Sequence, residues 1–244
     1  MAYLMRVMRQ LSTESIGNVS EDLVSSPMSF IRTFNKDETD EADVGYVLLF
    51  SQTELITSKG FPCESYYVLT EDGYILNILR IPHGRNNSDA QSASRPVVVL
   101  QHGLLGSCTN FLTNPVNESL AYLLADAGAD VWLGNSRGNI YSTNHTHLSP
   151  STREFWNFSW DEMATFDLPA TINFVRDKSG ADKVYYVGHS QGTTIAFSRL
   201  SEDQELASHI KHFIALAPVA RVGYAPTPLR KLAPYADQIK VPQD

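Results

Sequence analysis

Apolar and polar positions change rhythm several times along the chain, and each change predicts an element. Ser65 to Thr70 and Tyr74 to Ile81 are short runs rich in β-branched and aromatic residues, and Glu71-Asp72-Gly73 between them is a hairpin signal. Pro96 to His102 and Ala129 to Gly134 are continuous apolar runs too short for helices, so they are predicted as strands buried on both faces. A helix is predicted around Ser119 to Ala127 between them. A helix from Thr165 to Lys178, a strand over residues 183–190, a helix over Thr193 to Leu200 and a strand from Phe213 to Ala217 continue the alternation. That order implies an α/β fold: a mostly parallel sheet with helices on both faces and the N-terminal hairpin as its antiparallel edge. Residues 1–50, with the acidic stretch Asp37 to Glu41, predict no clear element, and Pro82 to Arg95 is a loop rich in Asn, Ser and Gly.

The strand ending near His189 runs into Gly188-His189-Ser190-Gln191-Gly192 and then directly into a helix. A serine on so sharp a strand-to-helix turn stands clear of the sheet, and the flanking glycines remove Cβ atoms that would crowd the backbone. The five-residue pattern arises by chance in roughly one chain in ten of this size, so the strand before it and the helix after it carry the weight. Ser190 is the candidate nucleophile, with Gly188 and Gly192 as the elbow glycines. The Gln191 amide, at the N-terminus of the following helix, is a candidate oxyanion donor. The loop His102-Gly103-Leu104-Leu105-Gly106, at the carboxyl end of another core strand, can present a second.

A general base is harder to place. The chain has seven histidines, His83, His102, His145, His147, His189, His209 and His212. In this architecture the acid and the histidine follow the serine in chain order. Only His209 and His212 do so, and both are expected just before the Phe213 strand, at its amino end and away from Ser190. His102 is better placed to brace the oxyanion loop, and none of the seven is assigned as the base.

Composition narrows the partners. With 43% apolar residues the chain can bury one sizeable core, and a formal charge of −8 with no Lys/Arg cluster argues against nucleic acid. Two cysteines, Cys63 and Cys108, form neither a disulfide framework nor a metal or redox spacing. Asn18, Asn86, Asn117, Asn144 and Asn157 each begin an Asn-x-Ser/Thr sequon. Composition alone predicts about two, so the excess favours a secretory or lysosomal route. Arginines interrupt the first ten residues before an apolar signal core forms, and no apolar run approaches the roughly 20 residues that span a bilayer.

Several independent segments together resemble the acid lipase family of α/β-hydrolases. They are Thr70 to Leu76, Leu100 to Leu105, Leu124 to Asn139, Glu154-Phe155-Trp156, Asp161-Glu162-Met163, Asp167 to Ala170 and Tyr186 to Thr194. The resemblance covers roughly Thr53 to Lys240. It implies that Ser190 is the nucleophile, that the Leu104 and Gln191 amides form the oxyanion hole, and that the substrates are neutral lipid esters, triacylglycerol or cholesteryl esters, with a lipid–water interface as a candidate setting. No cofactor and no metal is implied, and the oligomeric state is left unassigned. It further implies a partial core over residues 51–220, the start of a cap over 221–244, and a catalytic Asp and His in later family segments, so residues 1–244 alone are expected to be inactive. Two other readings stay open: a non-catalytic lipid-binding or interaction module on the same frame, and a small-ester esterase or acyltransferase.

Overall fold

The computed structural model describes residues 51–87 and 95–221. The expectations for residues 1–50, for Asn18 and for the cap from residue 222 onward lie outside them. A short helix, α1 (Gln52–Thr57), opens on a capping box in which the Ser51 hydroxyl accepts the Glu54 N–H and the Glu54 carboxylate accepts the Ser51 N–H. The hairpin follows as β1 (Glu64–Leu69) and β2 (Tyr74–Ile81), then β3 (Val97–Gln101), α2 (Leu120–Asp126) and β4 (Asp130–Gly134). A two-residue strand, β5 (Asn144–His145), precedes α3 (Trp160–Glu162), a π-helical turn (Met163–Asp167) and α4 (Leu168–Ser179). The last elements are β6 (Val184–His189), α5 (Gln191–Glu202), α6 (Gln204–Ser208) and β7 (Ile210–Leu216).

All seven strands of the described residues join one sheet in the order β1-β2-β4-β3-β6-β7, with β5 paired to β2. The β3–β4, β3–β6 and β6–β7 pairs are parallel, and β2 runs antiparallel to both β1 and β4. The expected α/β architecture with an antiparallel hairpin is therefore what the chain adopts.

Strand alternation sends side chains into two cores, one on each face. Val98, Leu100, Val131, Leu133, Tyr185 and Val187 meet Ile56 of α1 and Leu120, Tyr122 and Leu124 of α2. Val97, Val99, Trp132, Val184 and Tyr186 meet Ile172 and Val175 of α4 and Ile195 and Ala196 of α5. Each Val, Leu or Ile among them, buried on folding, contributes roughly 1.5–3 kcal/mol. That is why the continuous apolar runs settle as the central strands, where both faces are covered.

Two boundaries differ from expectation. The helix expected to begin at Thr165 starts at Trp160, because Ser159 and Glu162 form a capping box there. The last strand begins at Ile210, so His212 lies within β7 opposite Tyr185 rather than ahead of the strand. With mostly half-buried positions, β7 lacks the continuous apolar signature of its neighbours.

A buried ion cluster ties the hairpin to the π-helical turn. The Arg137 side chain, fully shielded from solvent, donates to Asp72 at 2.5 and 2.8 Å and to Asp167 at 2.7 and 2.8 Å. Its guanidinium lies 4.0 Å from the Tyr74 ring centroid. Burial pushes the Asp167 carboxyl up to about 6, against the pull of Arg137. At Asp72 the cost of burial is outweighed by hydrogen bonds from Arg137 and Thr70, which hold its carboxyl below the usual range. Arg137→Met leaves two carboxylates facing each other without a cation, so it is expected to cost about 3–5 kcal/mol of unfolding free energy in urea titrations. Arg137→Lys recovers only part of that loss, because an ammonium cannot make the paired contacts of the planar guanidinium.

Candidate active site

β6 ends at His189 and α5 begins at Gln191, so Ser190 alone reverses the chain, at φ 51° and ψ −113°. L-residues rarely occupy this region, at a cost of order 1–3 kcal/mol, and the surroundings must impose it. The Ser190 N–H donates to the Leu216 carbonyl at the end of β7, at 3.0 Å. Its carbonyl accepts the Thr193 N–H at 2.9 Å and the Thr193 hydroxyl at 2.6 Å. One turn below, the buried Tyr186 phenol donates to the Gly192 carbonyl at 2.9 Å.

The elbow glycines serve close approach rather than unusual dihedrals, since neither has positive φ. A Cβ on Gly188 would lie 2.7 Å from the Gly192 carbonyl oxygen. One on Gly192 would lie 2.7 Å from the Gln101 carbonyl oxygen and 2.9 Å from that of His102, so α5 could not seat against the end of β3.

The loop after β3 comes equally close from the other side. A Cβ on Gly103 would lie 2.9 Å from the Ser190 Cβ and 3.2 Å from His189 Nδ1. The loop turns back through a Gly106 N–H to Gly103 carbonyl bond, with Leu105 at φ 58°. Leu104 and Leu105 project into solvent, the latter 96% exposed. Among the described residues neither the Leu104 nor the Gln191 amide is taken by another protein group. Two amides and a serine hydroxyl at one carboxyl edge of a parallel sheet can bind a carbonyl and attack it.

His102 fixes the loop from beneath. Its Nε2 accepts the Ser136 N–H at 3.1 Å, so Nδ1 carries the proton and donates to the Gly103 carbonyl at 2.8 Å. Both ring nitrogens are thus occupied, and burial pulls the imidazole below its ordinary 6.5. The Asn139 amide adds a 3.3 Å contact to Nε2 and donates to Asn135 Oδ1 at 2.8 Å.

Four other histidines, His83, His145, His147 and His212, make contacts away from Ser190. His83 Nδ1 meets the Gly84 carbonyl at 2.7 Å, His145 Nε2 meets that of Asp72 at 3.0 Å, and His147 Nδ1 meets the Thr146 hydroxyl at 3.0 Å. His212 stacks on Tyr185 with centroids 5.5 Å apart. Among the described residues no histidine nitrogen is hydrogen-bonded to the Ser190 hydroxyl, and no group of three His, Cys, Asp or Glu could hold a metal ion. Cys63 and Cys108 are free thiols that burial pushes up to about 11 and about 12, which makes them poor nucleophiles. Asn86, Asn117, Asn144 and Asn157 are all exposed.

Sequence reasoning found the elbow and the loop after the neighbouring core strand but missed the bonds that lock them: Tyr186 to Gly192, Thr193 to Ser190, and Ser136 and Asn139 to His102. Ser136 and Asn139 lie 34 and 37 residues from His102, and the shorter-range bonds at the elbow depend on a tertiary fold that the local apolar pattern does not encode. The one available signal was the polar run Asn135-Ser136-Arg137 following a strand buried throughout, which demands partners for those groups.

The chain belongs to the α/β-hydrolase family, whose alpha/beta hydrolase fold matches residues 96–237, and a partial alpha/beta-hydrolase lipase region matches residues 52–115. Its resemblance to the acid lipases is borne out by relatives. It is 58% identical to gastric triacylglycerol lipase of Rattus norvegicus over 74% of this chain and 46% of that protein. It is 56% identical to lysosomal acid lipase/cholesteryl ester hydrolase of Homo sapiens over 77% of this chain and 47% of that protein. The chain thus spans about half the length of the curated relatives it matches. Among solved structures, an esterase of Pyrococcus furiosus is similar at a TM-score of 0.44 and 21% identity, covering 64% of this chain and 52% of that one.

The buried His102 carries a pH signature. As pH falls through 6.5 the unfolded histidine binds its proton first, so the folded state loses stability until its own lowered value is passed. His102→Gln is expected to flatten the fall in melting temperature between about pH 7 and pH 5. A slope equal to that of the parent protein would show that His102 does not set it.

Proposed function

We propose that Ser190 is the nucleophile of a serine ester hydrolase acting on neutral lipid esters, triacylglycerol or cholesteryl esters. The observation that carries the reading is the conformation of Ser190, held at positive φ between a buried strand and a helix N-terminus. The Ser190 hydroxyl attacks the ester carbonyl carbon as a general base takes its proton. The carbonyl oxygen becomes an oxyanion, held by the Leu104 and Gln191 amides, and the alcohol leaves with a proton as the acyl-enzyme forms. Water then releases the acid. None of the seven histidines of this chain is assigned as the base.

Several features support a neutral lipid substrate. The relatives are named for triacylglycerol and cholesteryl ester hydrolysis. Leu104 and Leu105 stand exposed beside the elbow, where an acyl chain gains from apolar contact, and the net charge of −8 does not favour anions. The four exposed sequon asparagines suit a glycosylated protein on a secretory or lysosomal route. Among the described residues no helix is long and apolar enough to cross a membrane.

The test is covalent. On the intact protein, Ser190→Ala is expected to abolish fluorophosphonate labelling and to cut hydrolysis of a long-chain ester by about 10⁴ or more, with little change in melting temperature. Labelling of Ser190→Ala at the parent rate would overturn the assignment. Labelling of Ser190 without turnover of any ester would favour a non-catalytic module.

A further inference from the structure

Thr193 and Thr194 place two consecutive β-branched residues in the first turn of α5, where helix propensity gives no reason for them. The Thr193 side chain is fully buried, yet its hydroxyl makes two bonds. It donates to the Ser190 carbonyl at 2.6 Å and accepts the Val219 N–H at 2.9 Å. The Thr194 hydroxyl donates to the Val219 carbonyl at 2.7 Å. Both backbone groups of Val219 are therefore held by threonine side chains.

These bonds close a ring. Ser190 donates its N–H to Leu216 at 3.0 Å, the chain continues through Ala217 and Pro218 to Val219, and Val219 returns through Thr193 to the Ser190 carbonyl. Among the described residues, two of the three non-glycine residues at positive φ lie on this ring, Ser190 at 51° and Ala217 at 46°. Neither dihedral is favourable alone, and a closed hydrogen-bonded ring over-determines both.

We propose that Thr193 is a positioning residue that holds Ser190 in its positive-φ conformation by tying the nucleophile's carbonyl to the loop leaving β7. The role rests on Ser190 being the nucleophile, but the clamp itself does not. Thr193→Val keeps the shape of the side chain and removes only the hydroxyl. The Val219 N–H then loses its acceptor, and Ser190 keeps one of the two bonds to its carbonyl. Thr193→Ser retains the hydroxyl with a smaller side chain.

Two measurements on the intact protein test this. Per folded molecule, Thr193→Val is expected to lower the second-order rate of fluorophosphonate labelling about tenfold or more, in line with the cost of small misplacements in reacting groups. Thr193→Ser should restore most of that rate, and with an ester substrate the Thr193→Val loss should fall on kcat rather than KM. Hydrogen exchange at the Ser190 and Val219 amides should speed up about tenfold in Thr193→Val, with the amides of β3 unchanged. The proposal is overturned if those two amides keep their protection, or if Thr193→Val melts earlier yet labels at the parent rate per folded molecule. Should parent Ser190 fail to label, the nucleophile reading falls, and hydrogen exchange alone decides the clamp.

Discussion

The close contact of α5 with the end of β3 is the constraint on which the site depends. Gly192 sits so near the Gln101 and His102 carbonyls that any side chain there would push α5 off the sheet. Because α5 is seated this tightly, β6 must reverse within one residue, and Ser190 takes the strained dihedrals. Gly103 repeats the argument across the gap, since only hydrogen on its Cα lets the loop after β3 approach the Ser190 Cβ. Ser190 and the loop after β3 are brought together by the absence of atoms.

Polar groups then fix what the glycines permit. His102 joins the Gly103 loop to the Ser136 backbone after β4, and the same polar loop continues into Arg137. Arg137 reaches Asp72 in the hairpin turn and Asp167 in the π-helical turn. Two neighbouring residues thus join four segments of the chain, and every buried charge or ring nitrogen in this set has a partner. Such a network favours one arrangement, because shifting any member strands a buried polar group.

The parts legible in the sequence were those with a local cause. Val97 to Gln101, Asp130 to Gly134 and Val184 to His189 are apolar runs bounded by turns, and burial on both faces makes them strands. The elbow was legible because its glycines, serine and flanking elements are contiguous. Less legible was β7, whose half-buried residues give no continuous apolar run, and it begins early enough to hold His212 inside the strand rather than before it. The pairings of Arg137 with Asp72 and of Thr193 with Val219 join residues 65 and 26 apart in sequence, and nothing in the local pattern announces them.

The central claim is that Ser190 attacks a carbonyl whose oxygen is received by the Leu104 and Gln191 amides. A crystal structure of the intact protein after reaction with an alkyl phosphonate ester tests it most directly. The account predicts phosphorus bonded to Ser190 Oγ, with the phosphonyl oxygen within hydrogen-bonding distance of both amides and the alkyl chain lying over Leu104. Phosphorus on another residue, or a phosphonyl oxygen turned away from those two amides, would contradict it.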